Sequence, residues 1–210
     1  MNNILWMKYI SWIIVGYLSG SVLYGYLIPK YINHVDVCQI SDDSNPGTAN
    51  AFKYAGFLAG STVILCELLK AFIPVFFAAR HLDINRLPFA LVMAAPVAGH
   101  AFSIFFKGKG GKAIAASFGV VLALYPNLFP LAALIVLYIL FSTVIVISPH
   151  LYRSIVTFFL FTVAVYLVVP VHSLRLGCGI ISAITILKHL MSRDEETISI
   201  RLFHHALDKS

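Results

Sequence analysis

Residues 87–125 decide the fold of this chain, and they read LPFALVMAAPVAGHAFSIFFKGKGGKAIAASFGVVLALY. Two apolar runs enclose the segment from Lys107 to Lys112, in which three lysines and three glycines fill six positions. Charge between membrane-length apolar runs is unfavourable, so we expect a bound anion to compensate for it. Glycines let backbone N–H groups turn towards an oxyanion, and lysines supply positive charge, so the segment predicts a phosphate site at a membrane surface. The residues expected to hold the phosphate are Lys107, Lys109, Gly110, Gly111 and Lys112.

The composition of the whole chain is that of an integral membrane protein. Of its 210 residues, 60% are hydrophobic and 11% are charged, and the mean hydropathy is +0.88. A water-soluble domain carries about 25% charged residues. Open sheets cannot cross lipid, and the apolar runs are too long for the strands of a barrel. The sequence therefore predicts an all-α, polytopic bundle of membrane helices.

Seven apolar runs predict about seven transmembrane helices, with six as the alternative. A full crossing needs about 20 apolar residues, which four of the runs reach easily. The fourth, sixth and seventh are shorter, so we expect short helices within the bundle or, for one of them, a re-entrant segment. The runs are Ile4–Ile28, Phe57–Ala79, Leu87–Phe106, Ala113–Tyr125, Leu128–Ile147, Ile155–Val169 and Leu176–Leu187.

The basic residues predict the orientation of the chain. With seven spans, ten lysines and arginines fall on one side of the membrane and four on the other, while Lys70 lies within a span. Positive residues collect on the cytoplasmic side, so the N-terminus is expected outside and the C-terminus in the cytoplasm. Residues 29–53 and 107–112 then lie on the same face and can form one site. The same bias accounts for most of the excess charge behind an isoelectric point of about 9.3, so no nucleic-acid partner is expected.

A polar loop precedes the second apolar run. Residues 43–50 read DSNPGTAN, which is dense in hydroxyl, amide and turn-forming side chains, and Lys53 follows closely. One interpretation is a solvated turn that ends in a helix cap. The other is a second oxyanion site, in which small donors and a cation gather at a helix N-terminus. The residues of that second site are Ser44, Asn45, Thr48, Asn50 and Lys53.

Two charged residues lie midway along the second apolar run. Glu67 and Lys70 are three positions apart, so they share a helix face and can pair. Each alone would cost roughly 3 kcal/mol at the bilayer centre. Either the pair fixes helix packing, or Lys70 neutralises a phosphate with Glu67 as its partner. His100, near the end of the third run, is either a structural hydrogen-bonding group or a catalytic one.

The remaining features predict no further chemistry. Cys38, Cys66 and Cys178 are scattered without metal-ligand spacing and are interpreted as small apolar side chains, so neither a metal nor a cofactor is expected. The first apolar run is expected to be a retained helix rather than a signal peptide. Residues 1–192 are interpreted as the membrane domain and residues 193–210 as a cytoplasmic tail, with a surface helix as the expectation. The sequence indicates no obligate protein partner.

Four segments together carry a resemblance to a known family. From about Gly20 to Gly119 the chain resembles the bacterial integral-membrane acyl-phosphate:glycerol-3-phosphate acyltransferases, with the segments in that family's order. One such segment would be a weak signal, whereas four in register are hard to obtain by chance. The segments are Gly20-Ser21 with Gly25-Tyr26-Leu27-Ile28, Asn45-x-Gly47-x-x-Asn50 with Lys53, Glu67-Leu68-Leu69-Lys70-Ala71-x-x-Pro74-Val75, and Gly99-His100-x-Phe102 through Gly110-Gly111-Lys112.

The resemblance implies an active site that faces the cytoplasm, in the inner (plasma) membrane of a bacterium. It implies transfer of a fatty acyl group from acyl phosphate to the 1-hydroxyl of glycerol 3-phosphate, which gives lysophosphatidic acid and phosphate. Acyl phosphate is already activated, so orientation and oxyanion stabilisation suffice without a protein nucleophile. Catalytic roles are expected for Ser44, Asn45, His100, Lys112 and His189. Substrate binding is expected for Thr48, Asn50, Lys53, Glu67, Lys70, Lys107, Lys109, Gly110 and Gly111.

The chain departs from the family's pattern at several positions. Asp43 stands where the family has a loop serine, with Ser44 one position later, and Cys38 follows Val37 where an arginine is expected. Near the C-terminus His189 is retained, but the arginine and asparagine that follow it in the family are not. Fewer cations and an added carboxylate weaken a polyanion site. The alternatives to this activity are an acyltransferase with a different acceptor or acyl donor, a non-catalytic protein that binds anionic lipid or phosphate, and a transporter.

Overall fold

The structure is a computed structural model that describes residues 3–191 and 199–202 of the chain. The described part is predominantly helical, which confirms the predicted class of fold, and it contains two short strands. The helices are α1 (Asn3–Ser21), α2 (Tyr24–Ile32), α3 (Val37–Ile40), α4 (Thr48–Ala55), α5 (Phe57–His81), α6 (Phe89–Ala101), α7 (Ile114–Leu122), α8 (Phe129–Ile139), α9 (His150–Val168) and α10 (His172–Met191). The strands are β1 (Ile145–Ser148) and β2 (Ser199–Leu202).

Five helical segments of the described ranges are long and apolar enough to cross a membrane. The sixth and seventh apolar runs, expected to be short, form two of these full-length helices. The fourth run forms only α7, whose nine residues extend about 14 Å and cannot cross a bilayer core of about 30 Å. The expected count of seven spans is not confirmed. The five segments are Asn3–Ile32, Phe57–His81, Phe89–Phe106, His150–Val168 and His172–Met191.

The first apolar run is interrupted. α1 ends at Ser21 and α2 begins at Tyr24, so the expectation of one continuous helix over Ile4–Ile28 is wrong. A break leaves backbone groups without helical partners, which is unfavourable inside a membrane. A side chain of α5 satisfies one of these groups, because Nζ of Lys70 donates to the carbonyl oxygen of Val22 at 2.5 Å.

Small residues let α1 and α6 pack closely. A Cβ atom added to Gly20 would lie 2.1 Å from the carbonyl oxygen of Pro96, and one added to Gly99 would lie 2.1 Å from that of Tyr17. A Cβ atom added to Gly16, one turn before Gly20 in α1, would lie 3.2 Å from Cδ of the Pro96 ring. The Gly16-x-x-x-Gly20 spacing thus serves close packing of the two helices.

One part of the apolar core lies between α6, α9 and α10, and the core continues between α5 and α7. Phe89, Met93, Phe158 and Phe161 are fully buried in the first part, and the rings of Phe158 and Phe161 meet edge to face at 6.3 Å. The outward face of α1 exposes large apolar side chains, as a lipid-facing helix does.

α6 and α10 run in the same direction, and their paired ends define the two ends of the bundle. Ser173, at the start of α10, donates a hydrogen bond to the carbonyl oxygen of Ile84, just before α6. Lys188, near the end of α10, lies 5.3 Å from the centre of the Phe102 ring, just after α6. The second of these ends also carries the α3–α4 loop and the loop before α7, and it is named the polar end below.

β1 and β2 form an antiparallel pair in which Ile145 lies opposite Leu202 and Ser148 opposite Ser199. The expectation of a helix over all of Leu128–Ile147 is therefore wrong. α8 passes into a π-helical turn and then into β1, where successive β-branched residues favour an extended chain. The tail was expected to form a surface helix, but its residues Ser199–Leu202 form the strand β2, so that expectation is wrong there. Residues 192–198 and 203–210 lie outside the described residues.

Candidate active site

The α3–α4 loop is held by hydrogen bonds among its own residues. Nδ2 of Asn50 donates to Oδ1 of Asp43 and to the carbonyl oxygen of Asn45, each at 2.8 Å. The N–H of Asn45 also donates to Oδ1 of Asp43, at 3.2 Å. Ser44, between them, is exposed and has a left-handed backbone with φ 47°. This network fixes the position of the Asp43 carboxylate.

One ion pair joins the α3–α4 loop to the loop before α7. Nζ of Lys112 lies 3.0 Å from Oδ2 of Asp43, and both side chains are mostly buried. Burial alone would raise the pKa of Asp43, but hydrogen bonds from Asn50 and Lys112 outweigh burial and hold that pKa below its ordinary value. Asp43 is therefore a carboxylate at neutral pH. The prediction that these two polar segments lie on the same face is confirmed.

Two glycines let the loop before α7 pass directly against His100. A Cβ atom on Gly110 would lie 2.0 Å from the carbonyl oxygen of His100, and one on Gly111 would lie 2.3 Å from its Nε2. The N–H of Gly111 donates to that carbonyl oxygen at 3.1 Å. This N–H, which was expected to donate to a phosphate, thus has a partner within the protein. The glycines are needed here for close approach.

A buried cluster of Glu67, Lys70 and His100 lies behind this loop. Oε2 of Glu67 lies 2.6 Å from Nζ of Lys70 and 2.8 Å from Nδ1 of His100. Nζ of Lys70 is 2.9 Å from the same Nδ1. Oε1 of Glu67 accepts the N–H of Gly25 in α2 at 3.2 Å. The predicted Glu67–Lys70 pair is confirmed, and it both binds the helix break and holds the His100 ring with Nε2 beside Gly111.

A cavity of about 920 Å³ opens beside these groups. Most of its polar wall belongs to the α3–α4 loop, the start of α4, the loop before α7 and His100, and its apolar wall belongs to α5, α7 and α8. A cavity of this kind suits an amphiphile with a charged head and an apolar chain. The polar wall contains Asp42, Asp43, Asn45, Thr48, Asn50, His100 and Lys112. The apolar wall includes Leu68, Phe118, Leu122, Leu131 and Ile135.

The structure brings some of the expected site residues together and separates others. The cavity wall contains Asn45, Thr48, Asn50, His100 and Lys112. The expected residues that lie off this wall are Ser44, Lys53, Glu67, Lys70, Lys107, Lys109, Gly110, Gly111 and His189. Of these, Lys53, Lys107 and Lys109 are exposed, whereas His189 is fully buried. Residues from both of the expected phosphate sites, Lys112 from the first and Asn45, Thr48 and Asn50 from the second, line the same cavity.

Three wall residues had no signal in the sequence. Tyr138, Pro149 and His150 come from α8 and from the start of α9, far along the chain from the polar loops. Asp43 was noted only as a departure from a family pattern, but it is the partner of Lys112. No group of three or more His, Cys, Asp or Glu side chains placed to hold a metal ion occurs within residues 3–191 and 199–202.

The fold and the cavity define a helical protein of the membrane, with a lysine-containing polar pocket that continues into an apolar groove. The chain belongs to the glycerol-3-phosphate acyltransferase family, whose profile matches residues 10–195. A glycerol-3-phosphate acyltransferase of Limosilactobacillus reuteri (strain DSM 20016) is 30% identical to it over 98% of both chains.

Other relatives match a shorter part. A glycerol-3-phosphate acyltransferase of Endomicrobium trichonymphae is 39% identical over 59% of this chain and 62% of its own length. Among solved structures, the glycerol 3-phosphate form of PlsY, an integral membrane glycerol 3-phosphate acyltransferase, superposes with a TM-score of 0.75. It is 25% identical, and the superposition covers 87% of this chain and 88% of PlsY. The lysophosphatidic acid form of PlsY gives a TM-score of 0.71 at 27% identity, over 86% of this chain and 87% of PlsY.

Proposed function

We propose that this chain transfers a fatty acyl group from acyl phosphate to the 1-hydroxyl of glycerol 3-phosphate, forming lysophosphatidic acid and inorganic phosphate. The cavity carries the proposal, because Lys112 and His100 stand on its polar wall while apolar side chains line the rest. Such a space accepts a phosphate at one end and an acyl chain at the other. Family membership supports glycerol 3-phosphate as the acceptor.

The proposed reaction needs no nucleophile from the protein. The acceptor hydroxyl oxygen bonds to the acyl carbon, the bond from that carbon to the phosphate oxygen breaks, and phosphate leaves with the electron pair. The hydroxyl proton ends on the departing phosphate. The protein has to orient the two substrates and stabilise negative charge on the acyl oxygen, which positioned donors in a water-poor cavity do well.

Residue roles follow from the distances. Lys112 holds a substrate phosphate, because a charge-assisted hydrogen bond to an ammonium group is strong. His100 faces the reacting groups with a ring that Glu67 and Lys70 keep in place. The remaining polar groups of the wall, from Asn45 to Asn50, bind or orient the substrates. The exposed lysines at the polar end, Lys53, Lys107 and Lys109, attract anionic substrates from a distance.

One observation favours a second candidate function, an acyltransferase with a different acceptor. Asp43 places a carboxylate 3.0 Å from the ammonium group of Lys112. A carboxylate repels a second phosphate but accepts hydrogen bonds from the hydroxyl groups of a neutral polyol. An assay that compares glycerol 3-phosphate with glycerol as acceptor separates the two functions.

The proposal also includes a location. We propose that the protein lies in the inner membrane of a bacterium, with the polar end towards the cytoplasm. The distribution of cations supports this orientation, because positive residues collect on the cytoplasmic side of a membrane. Lysines are concentrated at the polar end, whereas the α5–α6 loop (residues 82–88) at the other end contains one cation, Arg86. Acyl phosphate, glycerol 3-phosphate and bilayer lipid are the partners proposed, and nucleic acid is not among them.

The test is a donor comparison on purified protein in detergent or lipid cubic phase. Glycerol 3-phosphate is supplied with palmitoyl phosphate or with palmitoyl-CoA, and phosphate release and lysophosphatidic acid are followed together. Equal amounts of both products with palmitoyl phosphate, and none with palmitoyl-CoA, are the expected result. A folded protein that turns over neither donor, with glycerol 3-phosphate or with glycerol, contradicts an acyltransferase function and favours a binding protein.

A further inference from the structure

The cavity has fewer cations than the proposed reaction calls for. Two phosphate-bearing substrates have to meet there, but Lys112 is the sole lysine or arginine on the wall among the described residues. Lys112 already contacts the Asp43 carboxylate at 3.0 Å. Asp42 adds a second carboxylate to the wall. Other hydrogen-bond donors are therefore required for the second phosphate.

His150, a residue outside every motif of the sequence, lies on the same cavity wall. It is the first residue of α9, directly after Pro149, and it is exposed. Tyr138, from the end of α8, lines the wall beside it, with its hydroxyl oxygen 3.3 Å from Nε2 of His150. An imidazole N–H and a phenolic O–H are both donors that bind phosphate oxygens.

The imidazole ring of His150 is held on two further sides. Its Nδ1 lies 3.1 Å from Oγ of the buried Ser154, one turn along α9. Its ring stacks on that of His189, with centres 6.2 Å apart and planes 23° from parallel. His189 is itself anchored, because its Nδ1 donates to the carbonyl oxygen of Thr185 at 2.8 Å. His189, expected to contact substrate, thus lies behind His150.

His150 lies at the polar end of the bundle. Ser117 in α7 contacts Thr185 in α10 at 3.3 Å between their hydroxyl oxygens. Ala113, the neighbour of Lys112 in the chain, lies one turn before Ser117. One turn from Thr185 towards the end of α10 is His189, the stacking partner of His150. Since α10 ends at the polar end, His150 lies towards the same end of the cavity as Lys112.

We propose that His150 contacts a substrate phosphate, as the second phosphate-binding residue of the cavity beside Lys112. The inference rests on the proposed function for the presence of two phosphates. When Ser154 donates its hydroxyl hydrogen to Nδ1, the ring hydrogen lies on Nε2 and Nε2–H donates to a phosphate oxygen. The hydroxyl of Tyr138 donates beside it. The phosphate belongs either to glycerol 3-phosphate or to the acyl donor, from which inorganic phosphate departs.

The test measures equilibrium binding, which does not depend on turnover. Glycerol 3-phosphate and inorganic phosphate are titrated separately into purified wild-type protein, His150→Leu and His150→Gln by isothermal titration calorimetry. The loss of a hydrogen bond to an ionised group corresponds to about tenfold or more in affinity, so His150→Leu is expected to weaken one ligand by that factor. His150→Gln, which keeps an N–H donor, is expected to lose less. The ligand that is weakened identifies the source of the phosphate.

The matched control is His81→Leu. His81 also stacks on a ring, that of Trp12 at 6.2 Å, but it lies at the end of α5 away from the cavity. Its substitution is expected to leave both affinities unchanged. Wild-type affinities in His150→Leu, or a wild type that binds neither ligand, overturn the inference. If His150→Leu fails to fold, the same titrations are made with His150→Gln and Tyr138→Phe. Unchanged binding of both ligands in both variants overturns the inference, and weaker binding supports it.

Failure of this inference is distinct from failure of the proposed function. A wild type that binds phosphate through His150 but forms no lysophosphatidic acid contradicts the proposed function and leaves the binding role of His150 in place. A wild type that forms lysophosphatidic acid, together with a His150→Leu variant of unchanged affinities, contradicts the role of His150 alone.

Discussion

Oδ2 of Asp43 lies 3.0 Å from Nζ of Lys112, so the lysine of the cavity wall already has an anionic partner. A substrate phosphate that binds Lys112 has to share the ammonium group with this carboxylate or displace it. The Asp43 carboxylate also accepts hydrogen bonds from Asn50 and Asn45, which hold it in place. The protein thus contains an internal competitor for its own substrate, and the affinity for phosphate depends on this pair.

Replacing Asp43 with asparagine is expected to lower the Michaelis constant of a phosphate-bearing substrate by about threefold to tenfold. The change removes a like charge from the phosphate site and keeps an oxygen that can accept from Asn50. Steady-state kinetics with each substrate varied in turn measure the effect. Asp83→Asn, in the α5–α6 loop, is the control and should change nothing. A higher Michaelis constant in Asp43→Asn would mean that the carboxylate binds the acceptor, in favour of the second candidate function.

The Glu67–Lys70 pair is expected to respond more to the loss of one partner than to the loss of both. Each side chain is only 2% exposed, and removal of one member leaves an uncompensated charge, at a cost of about 3–5 kcal/mol. Glu67→Gln or Lys70→Met should therefore lower the unfolding temperature in detergent more than the double variant does. The exposed Asp83–Arg86 pair, at 3.5 Å, provides the comparison, and Asp83→Asn should have little effect. Single and double variants of equal stability would contradict a buried ion pair.

Gly111→Ala is expected to reduce turnover at least about tenfold without unfolding the protein. The added Cβ atom would lie 2.3 Å from Nε2 of His100, so the ring has to move, and small displacements of active-site groups are costly to catalysis. Gly179→Ala is the matched control, because the nearest atom to its Cβ would be 3.8 Å away. Initial rates and size-exclusion profiles of both variants measure the effect. Full activity in Gly111→Ala would show that the position of His100 does not matter.

Cys38 is expected to be unreactive and dispensable. Burial, with the carboxylates of Asp36 and Asp43 nearby, raises the pKa of its thiol to about 11. Only the thiolate reacts, so alkylation at pH 8 should proceed with about one thousandth of the thiol ionised and should accelerate as the pH rises towards 11. Mass spectrometry of the folded protein, compared with the unfolded chain, measures the rate. Rapid labelling at pH 8, or an inactive Cys38→Ala variant, would contradict this account.

Local sequence signals predicted the membrane fold and part of the site. The apolar runs located the long helices, and the spacing of Glu67 and Lys70 identified their pairing, because both depend on neighbours along one helix. The prediction that residues 29–53 and 107–112 lie on the same face followed from the alternation of successive loops between the two sides of the membrane. The Asp43–Lys112 contact then confirmed it.

The remaining features depend on contacts between distant residues. The break after Ser21 is stabilised by Lys70 of another helix, so the apolar run alone shows no sign of it. Tyr138 and His150 reach the cavity through the packing of α8 and α9, which no motif encodes. Glycine serves both anion binding and close packing, so the sequence alone did not distinguish the two uses for the glycines before Lys112. In the structure they pack against His100.

The central claim is that the cavity wall at Lys112 is where a substrate phosphate binds during acyl transfer. The most direct test compares Lys112→Ala with Lys109→Ala, an exposed lysine three positions away and off the wall. Lysophosphatidic acid and phosphate are measured with glycerol 3-phosphate and palmitoyl phosphate as substrates. Turnover is expected to fall at least about tenfold in folded Lys112→Ala and to stay within about twofold of wild type in Lys109→Ala. Near-normal turnover in Lys112→Ala, or an equal loss in both variants, would contradict the account.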